Sequence, residues 1–282
     1  MLVADLHVHT TNSDGSLALA AVPEAARAAG VEAVAITDHD RLHPDLDAPI
    51  AERGGVTVIH GIELRVEAGE QGSSSGGQGS DGGRASSDDG AAMRLDLLGY
   101  GVRPTPDLTA ELDRIQTDRV ERGRRIVADV EGELGVDLGI DVEPGIGRPH
   151  VARAIADSAA DYDYEGAFAE LIGDGRPFHH VREVPSFERG VALLDGACGL
   201  VSLAHPLRYD DPERALALAG DLGGVERHYD YGRTVDPAPV ERAIERFDLL
   251  PTGGSDAHDA TLGRAGLGAA DYRRVRARLN GG

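Results

Sequence analysis

Lysine is missing altogether from these 282 residues: all 28 basic residues are arginine, set against 49 acidic ones. That absence excludes Schiff-base chemistry on a lysine amine, the lysine of a P-loop, and the carboxylated lysine of many binuclear hydrolases. Tryptophan is also absent and aromatics make up only 4% of the chain, so the core must be aliphatic. The lone cysteine, Cys198, allows no internal disulfide framework and no cysteine-rich zinc site. Any metal must therefore be held by histidine and carboxylate. No stretch approaches the ~20 apolar residues of a membrane span. The amino terminus, Met1-Leu2-Val3-Ala4-Asp5-Leu6, lacks the basic, apolar and cleavage regions of a signal peptide. A soluble, cytoplasmic chain with no membrane partner is expected.

The net charge of -21 repels polyanions, so long duplex nucleic acid is not an expected partner, whereas small anionic substrates are compatible. The acidic, lysine-free, Ala/Gly/Asp-rich composition is similar to that of proteins from salt-accumulating halophilic archaea.

What the chain does have is a rhythm. Short apolar runs each end in polar residues: Leu2 to Leu6 before His7, Ala33 to Ile36 before Asp38-His39, Val56 to Ile59 before Glu63, and Leu95 to Leu98 around Asp96. Leu200 to Leu203 before His205, Gly224-Val225 before Glu226, and Leu249-Leu250 before Asp256 and His258 continue the series. Helical patterns such as Leu17 to Ala29 and Pro239 to Phe247 lie between many of them. Strand, polar tip and helix, repeated about seven times, predict an α/β barrel with its site at the carboxyl ends of the strands.

Two segments interrupt that rhythm. Residues 69–92, almost entirely Gly, Ser, Asp, Gln and Ala, predict a disordered surface loop. Residues 103–185 are rich in arginine and in helical pattern and predict a helical insert. The expected division is residues 1–102 for the first part of the barrel, 103–185 for the insert and 186–282 for the second part. Within the insert, the arginines from Arg119 to Arg125 either face a phosphate chain or, as their acidic neighbours favour, lie on a solvated helix face.

The strongest chemical signal is Asp5-Leu6-His7-Val8-His9, because alternation along a strand puts both imidazoles on one side. Asn12-Ser13-Asp14-Gly15 adds a carboxylate on a tight turn, and four later strand ends deliver His39, Glu63, His205, and Asp256 with His258. Five strand ends carrying histidine or carboxylate point to one shared polar centre.

This ordered combination resembles the PHP domain family, named for bacterial polymerases and histidinol phosphatases. Asp5-Leu6-His7-Val8-His9, Ser13-Asp14-Gly15, Thr37-Asp38-His39, Glu63, Leu97-Leu98-Gly99-Tyr100, Ala204-His205-Pro206 and Ser255-Asp256-Ala257-His258 carry the likeness over nearly the whole chain. The resemblance implies a distorted (β/α)7 barrel of TIM type with two or three divalent ions, manganese, zinc or iron, hydrolysing phosphoesters through a metal-activated hydroxide. It marks His7, His9, Asp14, His39, Glu63, His205, Asp256 and His258 as metal ligands, with Asp256 also catalytic. Asp96 stands where the family usually has a ninth ligand, a histidine. An aspartate there either ligates through oxygen, favouring harder ions such as Mn²⁺, or is too short and leaves one ion weakly held. Asp5 and Asp38 are expected behind the ligands, accepting their second imidazole N–H.

Gly147-Arg148-Pro149-His150 is similar to a segment in PHP proteins that act on nucleotides and RNA 5′ ends. There Arg148 is the expected phosphate clamp, and His150 a donor to phosphate or to the leaving oxygen. The expected activity is hydrolysis of a small phosphorylated substrate, a nucleotide or the 5′ end of a short RNA. The alternatives are a histidinol phosphatase and a non-catalytic PHP scaffold. Glu226 is left open between lining the pocket and pairing with nearby arginines.

Overall fold

Ala33–Ile36 and Leu200–Leu203 are four-residue strands buried along their whole length, as continuous aliphatic runs covered on both faces should be. In the computed structural model, which describes residues 1–69 and 92–281, they belong to one nine-stranded sheet. The strands are β1 (Leu2–Val8), β2 (Ala33–Ile36), β3 (Ile50–Arg53), β4 (Val56–Ala68), β5 (Met93–Tyr100), β6 (Leu200–Leu203), β7 (Gly224–Tyr229), β8 (Leu250–Gly254) and β9 (Leu267–Gly268). Their order is β8-β7-β6-β5-β4-β2-β1-β9, with β3 beside β4. The sheet curls until β8 meets β1. There the His9 N–H donates to the Ala257 carbonyl at 3.0 Å and the Ala257 N–H to the His7 carbonyl at 3.2 Å. The chain is thus an α/β barrel, nearly closed.

The barrel is not the uniformly parallel one that repeated strand–helix units suggest. β1–β2, β2–β4, β6–β7 and β7–β8 are parallel, but β4–β5 and β5–β6 are antiparallel. β5 returns along β4 through eight consecutive pairs, from Gly61–Tyr100 to Ala68–Met93. Most of the stretch expected as a disordered loop, residues 70–91, lies outside the described residues.

As the composition requires, the core is aliphatic: Leu, Ile, Val and Ala fill the barrel, with Tyr100 and Phe187 the large buried aromatics. Helix α1 (Val22–Ala28) covers β1 and β2 through Val22 and Ala26. Helix α2 (Pro106–Leu134) starts where Thr105 Oγ1 accepts the Leu108 N–H and stops at Gly135, whose φ of 66° favours glycine. Its first half packs Leu108, Leu112 and Ile115 on the barrel, and its second half packs Ile126 and Val130 against α3 (Arg148–Asp157) through Val151 and Ile155.

Asp40 ties α2 and the segment that carries Arg182 to the strand tips. Its Oδ2 accepts from Arg119 and from Arg182, each at 2.6 Å, and its Oδ1 accepts the Arg65 backbone N–H at 3.0 Å. Burial works against its ionisation, yet Arg182 and Arg119 hold the carboxyl down to about 2. A depressed carboxylate pKa contributes stability above the ordinary value near 4, and that contribution disappears as pH falls from about 4 to about 2. Asp40→Asn should cost about 3–5 kcal/mol, because it leaves buried guanidinium charge unpaired. It should also flatten the fall in melting temperature between about pH 4 and pH 2, and calorimetry over that range checks both effects.

Candidate metal centre

Pleat alternation does what the His7–x–His9 spacing predicts: both rings leave the end of β1 on one side, their centroids 5.2 Å apart. Gly254 at the end of β8 makes room for them. A Cβ there would lie 2.3 Å from the His7 backbone nitrogen, so only glycine lets β8 bring Asp256 against β1. Asp256 Oδ1 then lies 3.1 Å from His9 Nε2 and 3.4 Å from His7 Nε2. At the end of β2, His39 places Nδ1 2.7 Å from Glu63 Oε2. Glu63, buried in mid-β4, faces four imidazoles, those of His7, His9, His39 and His205. Asp40, His205 and Asp256 are non-glycine residues with left-handed backbones (φ 54°, 30° and 50°), a strain that clusters at the strand tips around the site.

All nine sequence-predicted ligand positions converge. They form three adjoining groups, in each of which the donor atoms lie within 4.8 Å of one another: His9, Asp14, His39 and His258; His7, His9, Glu63 and Asp256; and Glu63, Asp96 and His205. Burial opposes protonation of His7, but Glu226, Asp256 and Glu63 outweigh it and hold its pKa well above the ordinary value. Burial likewise opposes the charge on Glu63, but His39 and His7 hold its carboxyl well below the usual range.

A divalent cation fits the first two groups. His7 Nε2, His9 Nε2, Asp14 Oδ1 and Glu63 Oε2 are buried and approach other ligand atoms at 2.7–3.4 Å without an aligned hydrogen bond, and His9 Nδ1 is buried with no partner among the described residues. Donors crowded in this way, with no sulfur among them, suit an open hydrolytic site. The third group differs: both oxygens of Asp96 accept from Arg65, from Nε at 2.7 Å and from a terminal nitrogen at 2.6 Å.

Behind the ligands the structure corrects an expectation. Among the described residues neither Asp5 nor Asp38 accepts an imidazole N–H. Asp5 accepts the Ser255 and Gly263 N–H groups and the Ser255 hydroxyl, each within 2.8 Å, and so fixes the loop that carries Asp256. Asp38 accepts from Thr10 N–H and Oγ1 and from Ser13 Oγ, also within 2.8 Å, and so fixes the turn that carries Asp14. Short side chains at strand ends reach neighbouring backbone more readily than a ring two residues away. The carboxylate that orients His7 is instead Glu226, fully buried on β7, with Oε1 3.1 Å from His7 Nδ1 and Oε2 accepting the His205 N–H at 2.7 Å. Tyr229 plays the same part for Asp256, donating to its Oδ2 at 2.8 Å beside Arg208 at 3.1 Å.

Beside the ligands lies a cavity of about 420 Å³ whose walls include Arg65, Arg94, Arg148 and Arg208. It adjoins a second, of about 190 Å³, lined in part by Arg119, Arg122 and Arg182. Arg119 and Arg122 are 4% and 9% exposed, so they are not on the solvated helix face expected of them. The signal was in the sequence: the apolar stripe of α2 runs Leu108, Leu112, Ile115, 119, 122, Ile126, Val130, and arginine occupies its two middle places. Arg122 Nε has no hydrogen-bond partner among the described residues, and burial together with Arg182, Arg119 and Arg148 pushes its pKa down to about 9. The second cavity is short of negative charge, with six arginines against Asp14 and Asp40. Arg148 opens α3 on the same wall, tethered among the described residues to the exposed Asp174 at 2.6 Å and to the Ile172 carbonyl at 3.3 Å. His150 faces elsewhere: its Nδ1 accepts the Gly147 N–H at 3.1 Å, and the ring is hydrogen-bonded to the Ser13 backbone, joining α3 to the Asp14 turn. A larger groove of about 960 Å³ along α2 holds no histidine.

Comparison with known proteins agrees with this geometry. The chain is 31% identical over 214 residues to a 3′,5′-nucleoside bisphosphate phosphatase of Chromobacterium violaceum, covering 73% of this chain and 67% of that one. It is 30% identical over 271 residues to a phosphoribosyl 1,2-cyclic phosphate 1,2-diphosphodiesterase of Eggerthella lenta, covering 91% and 94%. Its fold matches a crystal structure of a metal-dependent phosphoesterase from Bifidobacterium adolescentis, with a TM-score of 0.74 at 22% identity over 98% of this chain and 96% of that one. The PHP domain profile matches residues 5–164, and with this fold and this convergence of residues the chain belongs to the PHP domain family.

Proposed function

We propose that this protein is a metal-dependent phosphoesterase that hydrolyses a small phosphorylated substrate, a nucleotide or the 5′ end of a short RNA. The observation that carries the reading is the adjacency of nine converging donor positions to a cavity lined by six arginines and only two carboxylates, Asp14 and Asp40. His7, His9, Glu63 and Asp256 would hold one ion, and His9, Asp14, His39 and His258 another; manganese, zinc or iron suits these donors. Bound divalent ions acidify water toward neutrality and draw charge off the phosphoryl group.

The remaining work falls to the chain's own side chains. Glu226 holds His7 by Nδ1 and leaves Nε2 facing the centre. Tyr229 and Arg208 hold one oxygen of Asp256 and leave the other toward His7 and His9. Arg148 grips the phosphate, exchanging a solvent-exposed partner, Asp174, for a buried dianion. His150 keeps α3, and therefore Arg148, in register with the Asp14 turn. Arg122, Arg182 and Arg119 supply the positive field that draws the anion in. No described helix is long and apolar enough to cross a membrane.

A substrate panel with Mn²⁺ in concentrated salt tests this reading. Nucleoside monophosphates, nucleoside 3′,5′-bisphosphates and short 5′-phosphorylated RNAs should be preferred over histidinol phosphate; the reverse order overturns the substrate class. Arg148→Ala should lower kcat/KM by about ten- to a hundredfold, the loss of one charged hydrogen-bond donor, while metal content stays unchanged. Kinetics indistinguishable from the parent would refute the clamp.

A further inference from the structure

Arg65 and Asp96 are directly opposed residues of the antiparallel β4–β5 ladder. Their side chains meet as a two-pronged fork, Nε to Oδ1 at 2.7 Å and a terminal nitrogen to Oδ2 at 2.6 Å. The side chain of Asp96 is 3% exposed and that of Arg65 39%, so the carboxylate lies inside the site and the guanidinium faces the cavity. His205 Nε2, the third member of this corner, lies 3.6 Å from Asp96 Oδ2 but 3.2 Å from Glu63 Oε1, which it meets as a hydrogen-bond partner. We propose that the Arg65–Asp96 fork occupies the third corner of the centre. The chain then takes two divalent ions there, and the Arg65 guanidinium serves as the third positive charge facing the substrate phosphate. This rests on the reading of the cluster as a metal centre.

Three observations carry it. Ladder register fixes the pair: cross-strand neighbours stay opposed as long as the strands pair, so Arg65 is placed by the sheet and not only by its rotamer. In the third group both Asp96 oxygens are engaged by Arg65 and His205 Nε2 bonds Glu63, so only His205 Nδ1 and the Glu63 Oε2 of the shared glutamate lack partners there among the described residues, and neither belongs to Asp96. A cation bound to Asp96 would also sit next to a guanidinium in a poorly solvated corner, where repulsion between like charges is far stronger than in water. The same fork leaves Arg65 on the walls of both cavities, in reach of an anion that enters either.

Counting ions tests the proposal without an assay of activity. Protein loaded with Mn²⁺, desalted and measured by plasma mass spectrometry should hold two ions per chain. Arg65→Ala frees Asp96 and should raise the count to three, while Arg65→Ala combined with Asp96→Asn should return it to two. Arg65→Gln, which keeps the side chain's bulk without its charge, stands in if the alanine variant does not fold by circular dichroism, and it should likewise gain an ion. Three ions in the unmodified chain, or no gain on removing Arg65, overturns the proposal. Less than one ion in the unmodified chain removes the metal centre itself, and the proposal with it.

Discussion

Replacing His9 or Asp256 with alanine is expected to abolish turnover and to lower bound metal in the same preparations. His9 belongs to two of the three donor groups, and Asp256 Oδ1 lies between His7 and His9, so either truncation opens the centre where the groups join. Metal-ion stabilisation of a phosphoryl transition state contributes several kcal/mol, so losing it should reduce kcat/KM by at least about a thousandfold. Each variant also loses a deprotonated donor, so the ion content read by plasma mass spectrometry should fall in parallel. A His9→Ala protein that keeps its full complement of metal and its rate would remove this residue from the centre.

Glu226→Gln carries the second-largest expected effect, although Glu226 is not among the predicted ligands. The substitution keeps the shape but removes the charge that makes His7 basic, and it sets an amide where two oxygens now serve His7 and the His205 N–H. Partners of this kind behind a ligating histidine are worth about ten- to a hundredfold in metal affinity or activity. Competition for Mn²⁺ against a chromophoric chelator should show a loss of that size with the melting curve little changed. An unaltered affinity would mean that packing alone orients His7.

Most of this site was legible because strand alternation and strand ends are local properties. His7 and His9 share a side by their spacing alone, and the apolar runs before His39 and His205 announce buried strands. What was not legible depends on which strands are neighbours. The antiparallel sense of β4–β5 cannot be read from apolar runs, and without that register Arg65 is one arginine among 28. Glu226 could have been a pocket residue or an arginine's partner until β7 was seen next to β6 and facing β1. Asp5 and Asp38 stand where carboxylates behind a metal often stand, but nearby N–H and O–H groups claimed their oxygens first. Arg119 and Arg122 were readable, since they interrupt an apolar stripe with the correct helical period.

The most direct measurement is a metal titration of stripped protein. After chelation, Mn²⁺ is added back stepwise while phosphate released from a nucleoside 3′,5′-bisphosphate is followed. The stripped chain should be inactive, with the rate rising in step with bound ion. A stripped chain as fast as the loaded one, or a fully loaded chain that releases phosphate from no member of the substrate panel, contradicts the account.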